Sequence, residues 1–219
     1  TASSVAWDML MDMDPDIALL EEVSEFSASI TSRFDARFET AIGKTGNPQK
    51  SGTAVLVKES INGLVQLLSE FNWINDELRF FGSNLVGSAC VLNGQSCFDV
   101  VSVYSPAWPA DKERLASVDV STVILENNPD IWCTEVLWLG LKGVVPDSKR
   151  QWIVGGDFNS SEAFDYLWKS GPRGNKQVLD RMSEIGFEEC LRSFNGELTP
   201  TFRNPRGGKI IHQLDHIFV

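Results

Sequence analysis

Positive charge is scarce in this chain. Against 30 Asp and Glu it carries 19 Lys and Arg, for a net charge of -11. That balance repels polyanions at long range and argues against a tight, non-specific grip on duplex DNA, which needs many basic contacts. It leaves room for a nucleic-acid enzyme with a local basic rim and a divalent cation in its site. Cysteine is sparse as well: Cys90, Cys97, Cys133 and Cys190 show no CxxC spacing, so no zinc site is expected. Cys90 and Cys97 could meet across a hairpin, but lone cysteines usually serve as small core residues. No apolar run is long enough to cross a bilayer as a helix. Linkers, internal repeats and low-complexity runs are missing too, so residues 1–219 are expected to form one domain. The chain opens on neither Met nor a signal-peptide pattern. Thr1 is therefore expected not to be the native start, and no compartment is assigned.

What is present is an ordinary globular composition, 42% hydrophobic and 22% charged, with enough length for a sizeable core. Ser3 or Ser4 caps a first helix bearing Val5, Trp7 and Leu10, and Asp14-Pro15-Asp16 ends it, because Pro cannot continue a helix interior. Ile17-Ala18-Leu19-Leu20 reads as a strand with an acidic end, Glu21-Glu22. A weakly periodic stretch from Ser24 to Arg37 reads as helix. Gly52 opens a buried strand, Thr53 to Val57. Residues from Ile61 to Phe81 stay ambiguous. Asn93-Gly94 between two apolar runs, Leu85–Leu92 and Ser96–Tyr104, is a strong hairpin signal, since both turn residues tolerate positive φ. Asn128-Pro129-Asp130 reads as the start of a helix over Ile131–Leu141 with Trp132, Val136 and Leu139 on one face. A further helix spans Lys176–Ile185 and stops at Gly186. The last strand runs from Ile210 to Val219. Strands, helices and a hairpin in this mixture fit two packed sheets with helices outside.

The densest chemistry lies in Trp152-Ile153-Val154-Gly155-Gly156-Asp157-Phe158-Asn159. Three apolar residues run into two glycines, where another group can approach the backbone, and then into a carboxylate and an amide. Asp157 and Asn159 fall on one side of an extended chain. Two readings fit. The pair can form an Asx-turn that ties off backbone groups, or it can handle a proton and hold an oxyanion at one spot.

Four separated pieces occur in order: Pro15-Asp16-Ile17-Ala18-Leu19-Leu20-Glu21-Glu22, Val103-Tyr104-Ser105-Pro106, Gly156-Asp157-Phe158-Asn159, and Gln213-Leu214-Asp215-His216-Ile217-Phe218-Val219. Together they resemble the endonuclease/exonuclease/phosphatase superfamily, with its deoxyribonuclease-like and apurinic-endonuclease-like members. The resemblance implies an α+β fold: a four-layer α/β/β/α sandwich of two mixed, mainly antiparallel sheets with helices outside. It also implies that the family's first, Asn-bearing strand and its final Ser-Asp-His strand are lacking, so the fold is expected to be truncated at both ends and this piece alone inactive.

The resemblance assigns roles by position. Glu22 would hold the divalent metal, Mg2+ or Mn2+, while Glu21 replaces the usual Gln and is expected to face solvent. Tyr104 would donate to the scissile phosphate. Asp157 would activate water, Asn159 would hold the transition-state oxygen, and Asp215 would orient a catalytic histidine. Neither His212 nor His216 is expected to be that histidine. Arg203, Arg206 and Lys209 would border the site and grip substrate phosphates. Trp108 could stack on a base or bury an edge of the core. The implied function is metal-assisted hydrolysis of a phosphate ester, with a nuclease or phosphodiesterase favoured and nucleic acid a possible partner. An inositol phosphatase, a sphingomyelinase-type enzyme and a binding module that has lost its chemistry are the alternatives.

Overall fold

The computed structural model describes residues 2–59, 63–66, 84–92, 95–110, 112–115, 119–121, 123–124, 128, 130–145, 151–167, 174–202 and 212–219. Helix α1 (Ala2–Met13) leads into strand β1 (Ile17–Val23). A short α2 (Ala28–Thr31) precedes the antiparallel strands β2 (Phe34–Ile42) and β3 (Pro48–Lys58). Then come β4 (Gly63–Gln66), β5 (Leu85–Leu92), β6 (Gln95–Tyr104), α3 (Cys133–Val144) and β7 (Gln151–Asp157). The chain closes with α4 (Asn175–Glu184), α5 (Cys190–Asn195) and β8 (Asp215–Phe218).

The strands form two sheets, ordered β1-β3-β2 and β4-β5-β6-β7-β8. Every neighbour pair is antiparallel except β6 and β7. A hairpin cannot join parallel neighbours, so the chain crosses over through α3. Three apolar clusters then define four layers. Val55 and Val57 of β3 meet Val86 of β5 and Val100 of β6 between the sheets. Ala18 and Leu56 meet Ile30, Trp7 and Leu10 on the outer face of the smaller sheet. Val101, Val154 and Phe218 pack under Val136, Leu137 and Met182 of α3 and α4 on the outer face of the larger one. This is the α/β/β/α sandwich expected. Ala54 to Val57 are fully buried, because β3 is the central strand of its sheet and is covered on both faces.

Several boundaries differ from the sequence reading. Ser24–Arg37 is not one helix: α2 is brief, and β2 begins at Phe34. Phe34 and Phe38 are four residues apart, a spacing that suits one helix face and one strand face equally. Pairing with β3, from Phe34 opposite Lys58 to Thr40 opposite Gly52, decides for strand. Helix α3 starts at Cys133 and not beside Asn128. The Asn128 side chain accepts only the Asp130 N–H, at 3.2 Å, whereas the Glu135 carboxylate takes the Trp132 N–H at 2.6 Å and sets the cap there. In the described part of the expected Ile210–Val219 strand, Gln213 and Leu214 separate β8 from an isolated bridge between Phe202 and His212. Val5 is 60% exposed and does not join the α1 contacts made by Trp7 and Leu10. The β5–β6 hairpin forms, while its Asn93-Gly94 turn and most of the Ile61–Phe81 stretch lie outside the described residues.

Candidate functional site

The site grows from the ends of three adjacent strands and one facing strand. In β1, Ile17 and Leu19 face the larger sheet while Ala18 and Leu20 face α1. Strand alternation carries Glu21 to the inter-sheet side. The β1–β3 register then shifts between Leu20 and Val23, and Glu22 takes a φ of 55°. That bulge turns Glu22 outward toward the strand ends. Glu21 therefore does not face solvent, as the sequence suggested. It is half-buried between the sheets, and its Oε1 has no hydrogen-bond partner among the described residues.

Gly156 makes that placement possible. A Cβ on it would lie 2.4 Å from Glu21 Oε1 and 2.1 Å from the Val103 carbonyl oxygen, and its φ is 136°. No other residue type fits both the space and the backbone there.

The remaining groups are brought together by register. Tyr104 at the end of β6 lies opposite Asp157 at the end of β7, and Asp157 lies opposite Asp215 at the start of β8. Asn84 locks the Tyr104 backbone from both sides, accepting its N–H at 2.7 Å and donating to its carbonyl at 3.0 Å. The Tyr104 hydroxyl donates to Glu22 Oε1 at 3.2 Å, across the two sheets. Asp157 Oδ1 accepts the Asn159 N–H at 2.8 Å, so the Asx-turn is formed. Asn159, at φ 47°, uses Nδ2 to donate to the Ser105 carbonyl at 2.7 Å and to Asp157 Oδ2 at 3.1 Å. Both amide hydrogens are thus engaged, and a substrate oxygen would have to displace Asp157 from one of them. The turn is anchored by Phe158, which packs against the rings of His216 and Phe218. Burying a side chain of that size contributes about 2–3 kcal/mol.

Crowding of carboxylates shows in their proton affinities. Burial, reinforced by Asp215 and Asp157, pushes Glu21 up to about 8. Burial also pushes Asp157 up to about 6, against the Asn159 hydrogen bond and with help from Asp215 and Glu22. Tyr104 rises to about 12, through burial first and then the neighbouring Glu22. A cleft of about 320 Å³ opens beside Glu21, Gly156 and Asp215. Carboxylate oxygens are hard donors suited to magnesium or manganese, and the unpartnered Glu21 oxygen is the kind of atom a cation satisfies. Glu22 and Glu21 are the residues that would hold it. Among the described residues, no three His, Cys, Asp or Glu side chains already form a metal cage.

The two histidines stay out of this cluster. His216 is 1% exposed, on the opposite face of β8 from Asp215. Its Nδ1 lies 3.2 Å from Gln213 Nε2 and its Nε2 lies 3.1 Å from the Ser160 carbonyl, so the ring braces the Asn159–Ser160 loop. His212 lies against Phe164 with the rings tilted by 45° and their centres 4.5 Å apart. Asp215 therefore has neither histidine to orient. Trp108 is half-buried. Arg203, Arg206 and Lys209 lie outside the described residues. Sequence reasoning missed Glu21 as a site residue. The available signal was its position two residues beyond Leu19, on the strand face that meets the Gly155-Gly156 pair.

No family model matches the sequence, and no curated protein matches it. Solved structures do. The endonuclease domain of TRAS1, a telomere-specific non-LTR retrotransposon, superposes with a TM-score of 0.55 at 17% identity, over 97% of this chain and 76% of that one. The human Nocturnin catalytic domain with bound sulfate anion superposes with a TM-score of 0.56 at 15% identity, over 99% of this chain and 73% of that one. Likeness at this level of identity speaks to fold. The chain shares its fold with both, and that fold is the sandwich the four sequence pieces led us to expect.

Proposed function

We propose that these residues form the catalytic face of a divalent-metal-dependent phosphoesterase, a nuclease or phosphodiesterase that hydrolyses a phosphate ester by in-line attack of water. One observation carries the reading: Glu22, Tyr104, Asp157, Asn159 and Asp215, far apart in sequence, come to one mouth of the sandwich. The neighbours' names agree. One is an endonuclease domain, and the other is a catalytic domain holding a sulfate, a tetrahedral anion like phosphate.

In this reading Asp157 takes the proton of the attacking water, and an affinity raised to about 6 suits a base that must be ionised yet basic near neutrality. The Tyr104 hydroxyl, now on Glu22, donates to a non-bridging phosphate oxygen. Asn159 gives up its contact to Asp157 Oδ2 and donates to a second. Asp215 adds a carboxylate beside Asp157 and helps to raise its proton affinity; the histidine that the resemblance would have it orient is neither His212 nor His216. A magnesium or manganese ion on Glu22 and Glu21 would polarise a phosphoryl oxygen and offset charge on the leaving group. The protein's own part is mainly electrostatic positioning.

The test uses the reading frame that contains these residues, with bis(p-nitrophenyl) phosphate, plasmid DNA, RNA, inositol phosphates and sphingomyelin as substrates. Wild type is compared with Asp157→Ala, each with magnesium and with chelator. Hydrolysis that needs both the metal and Asp157 is expected, with a phosphodiester among the substrates. Turnover that persists in Asp157→Ala, or in chelator, refutes the mechanism. Binding of a phosphate ester with no turnover at all marks a module that kept the fold and lost the chemistry.

A further inference from the structure

Beside Asn159, the described residues line a second cavity of about 250 Å³, which Glu21 does not line. The N-terminal turns of α3 and α4 supply Trp132, Thr134, Glu135 and Asn175, the turn after β7 supplies Phe164, and Asn128 closes one side. None of its described lining residues is Lys or Arg, and Glu135 is the one that ionises. The end of α4 is capped internally, and at α3 the residue ahead of the helix is held. Asp165 takes the N–H groups of Gly174, Asn175 and Lys176, and Glu135 takes that of Trp132. Among the described residues, then, the lining offers an anion no cation.

What it does offer is ring faces and hydrogen-bonding edges. Trp132 and Phe164 are flat apolar surfaces. The Trp132 indole N–H is buried with no acceptor among the described residues, a costly arrangement unless something else accepts it. Asn128 uses its Oδ1 on Asp130 N–H, which leaves its Nδ2 to donate. Asn175 uses its Nδ2 on Asp165, which leaves its Oδ1 to accept. Donors and an acceptor around aromatic faces complement a neutral planar ring whose edge carries both kinds of group. A methylated ammonium head group would use the aromatic faces but waste the amides. An inositol polyphosphate would find no cation among the described lining residues.

We propose that this cavity is a nucleobase pocket, seating the base of a nucleotide whose phosphate lies at Asp157, with Asn159 as the wall shared between the two sites. The inference rests on the phosphoesterase reading for the phosphate and on the cavity alone for the base. The pocket then supplies what the scarcity of positive charge withholds: a grip on a nucleic-acid strand that does not depend on Lys and Arg.

Calorimetric titration in chelator separates the two. The ligands are a nucleoside 5′-monophosphate, ribose 5-phosphate, inositol 1-phosphate and phosphocholine. The nucleotide is expected to bind about tenfold or more tightly than ribose 5-phosphate. Trp132→Phe, which keeps a ring and deletes the N–H, is expected to weaken the nucleotide alone by about tenfold, as a lost hydrogen bond to a buried donor does. Asn128→Ala, at a partly exposed position, provides a second variant with little bearing on folding and the same expected direction. Equal binding of nucleotide and ribose 5-phosphate, tighter binding of phosphocholine or inositol phosphate, or no effect of either variant overturns the pocket. Hydrolysis of bis(p-nitrophenyl) phosphate needs no base. Turnover of that ester without base preference sinks the pocket and leaves the phosphoesterase standing, and base-selective binding without any turnover does the reverse.

Discussion

Replacing Glu135 by Gln should make the protein more stable at neutral and alkaline pH, an unusual direction for a substitution at a buried site. Glu135 is 1% exposed on the first turn of α3. Its Oε2 accepts the Trp132 N–H at 2.6 Å and its Oε1 accepts the Thr134 hydroxyl at 3.3 Å. Burial nevertheless wins over those bonds and over the Arg181 charge, and it pushes the carboxyl from 4.5 up to about 7. The unfolded chain keeps the ordinary value. Between these two pH values the folded state holds a proton that the unfolded state has released, so stability falls as pH rises. Below the lower value both states are protonated and no penalty exists. Above the upper value the penalty is complete. The interval from 4.5 to about 7, at about 1.4 kcal/mol per pH unit, comes to about 3 kcal/mol. Gln keeps the neutral shape of the protonated acid and can still accept the Trp132 N–H. Urea unfolding of wild type and variant across this range is the assay. The variant's stability relative to wild type should climb by about 3 kcal/mol from the acid end to the alkaline end. This double difference cancels any fixed cost of the amide. A relative stability that stays flat, or declines, with rising pH refutes the burial argument.

Two further perturbations probe the site itself. Gly156→Ala should cost about 3 kcal/mol or more, because overpacking against backbone adds to positive-φ strain. Gly186→Ala, at φ 100° with nothing within 4 Å of the added carbon, should cost only about 1–2 kcal/mol; equal losses in thermal unfolding would mean that contact with Glu21 and Val103 is irrelevant. Glu21→Gln should raise the melting temperature in chelator at pH values above 4.5, where the unfolded chain ionises this carboxyl while burial, and then Asp215 and Asp157, hold it protonated up to about 8 in the folded one. The same variant should weaken manganese binding, followed by electron paramagnetic resonance, about tenfold or more. Movement of both readings in the same direction would remove Glu21 from the metal's neighbourhood.

Elements whose periodicity admits one interpretation were legible from the residues. Thr53–Val57 is a fully buried central strand, and the Asn93-Gly94 signal correctly joined β5 to β6. Of the two readings of the Asp157–Asn159 pair, the Asx-turn is formed, and the proton-handling one belongs to the proposal. Other features were hidden because distant partners decide them. Phe34 and Phe38 suited helix and strand alike until β3 paired with them. The start of α3 depended on a carboxylate three residues inside the helix, which outweighed the Asn-Pro-Asp signal. Glu21 and Glu22 look alike in sequence. Strand alternation sends Glu21 into the cleft, and the β1–β3 register shift with the positive φ of Glu22 turns the other toward Tyr104. The arginines and lysine between Phe202 and His212 lie outside the described residues and stay an expectation.

The Tyr104–Glu22 contact straddles two sheets between which no backbone hydrogen bond runs among the described residues. Apolar packing, which is non-directional, does most to set how far one layer may slide along the other. A slip of a single residue, about 3.3 Å, would part phenol from carboxylate while leaving every ladder intact. The mouth of the sandwich is thus a vernier for the alignment of its layers, and whatever this surface does will fail before circular dichroism registers any loss of strand.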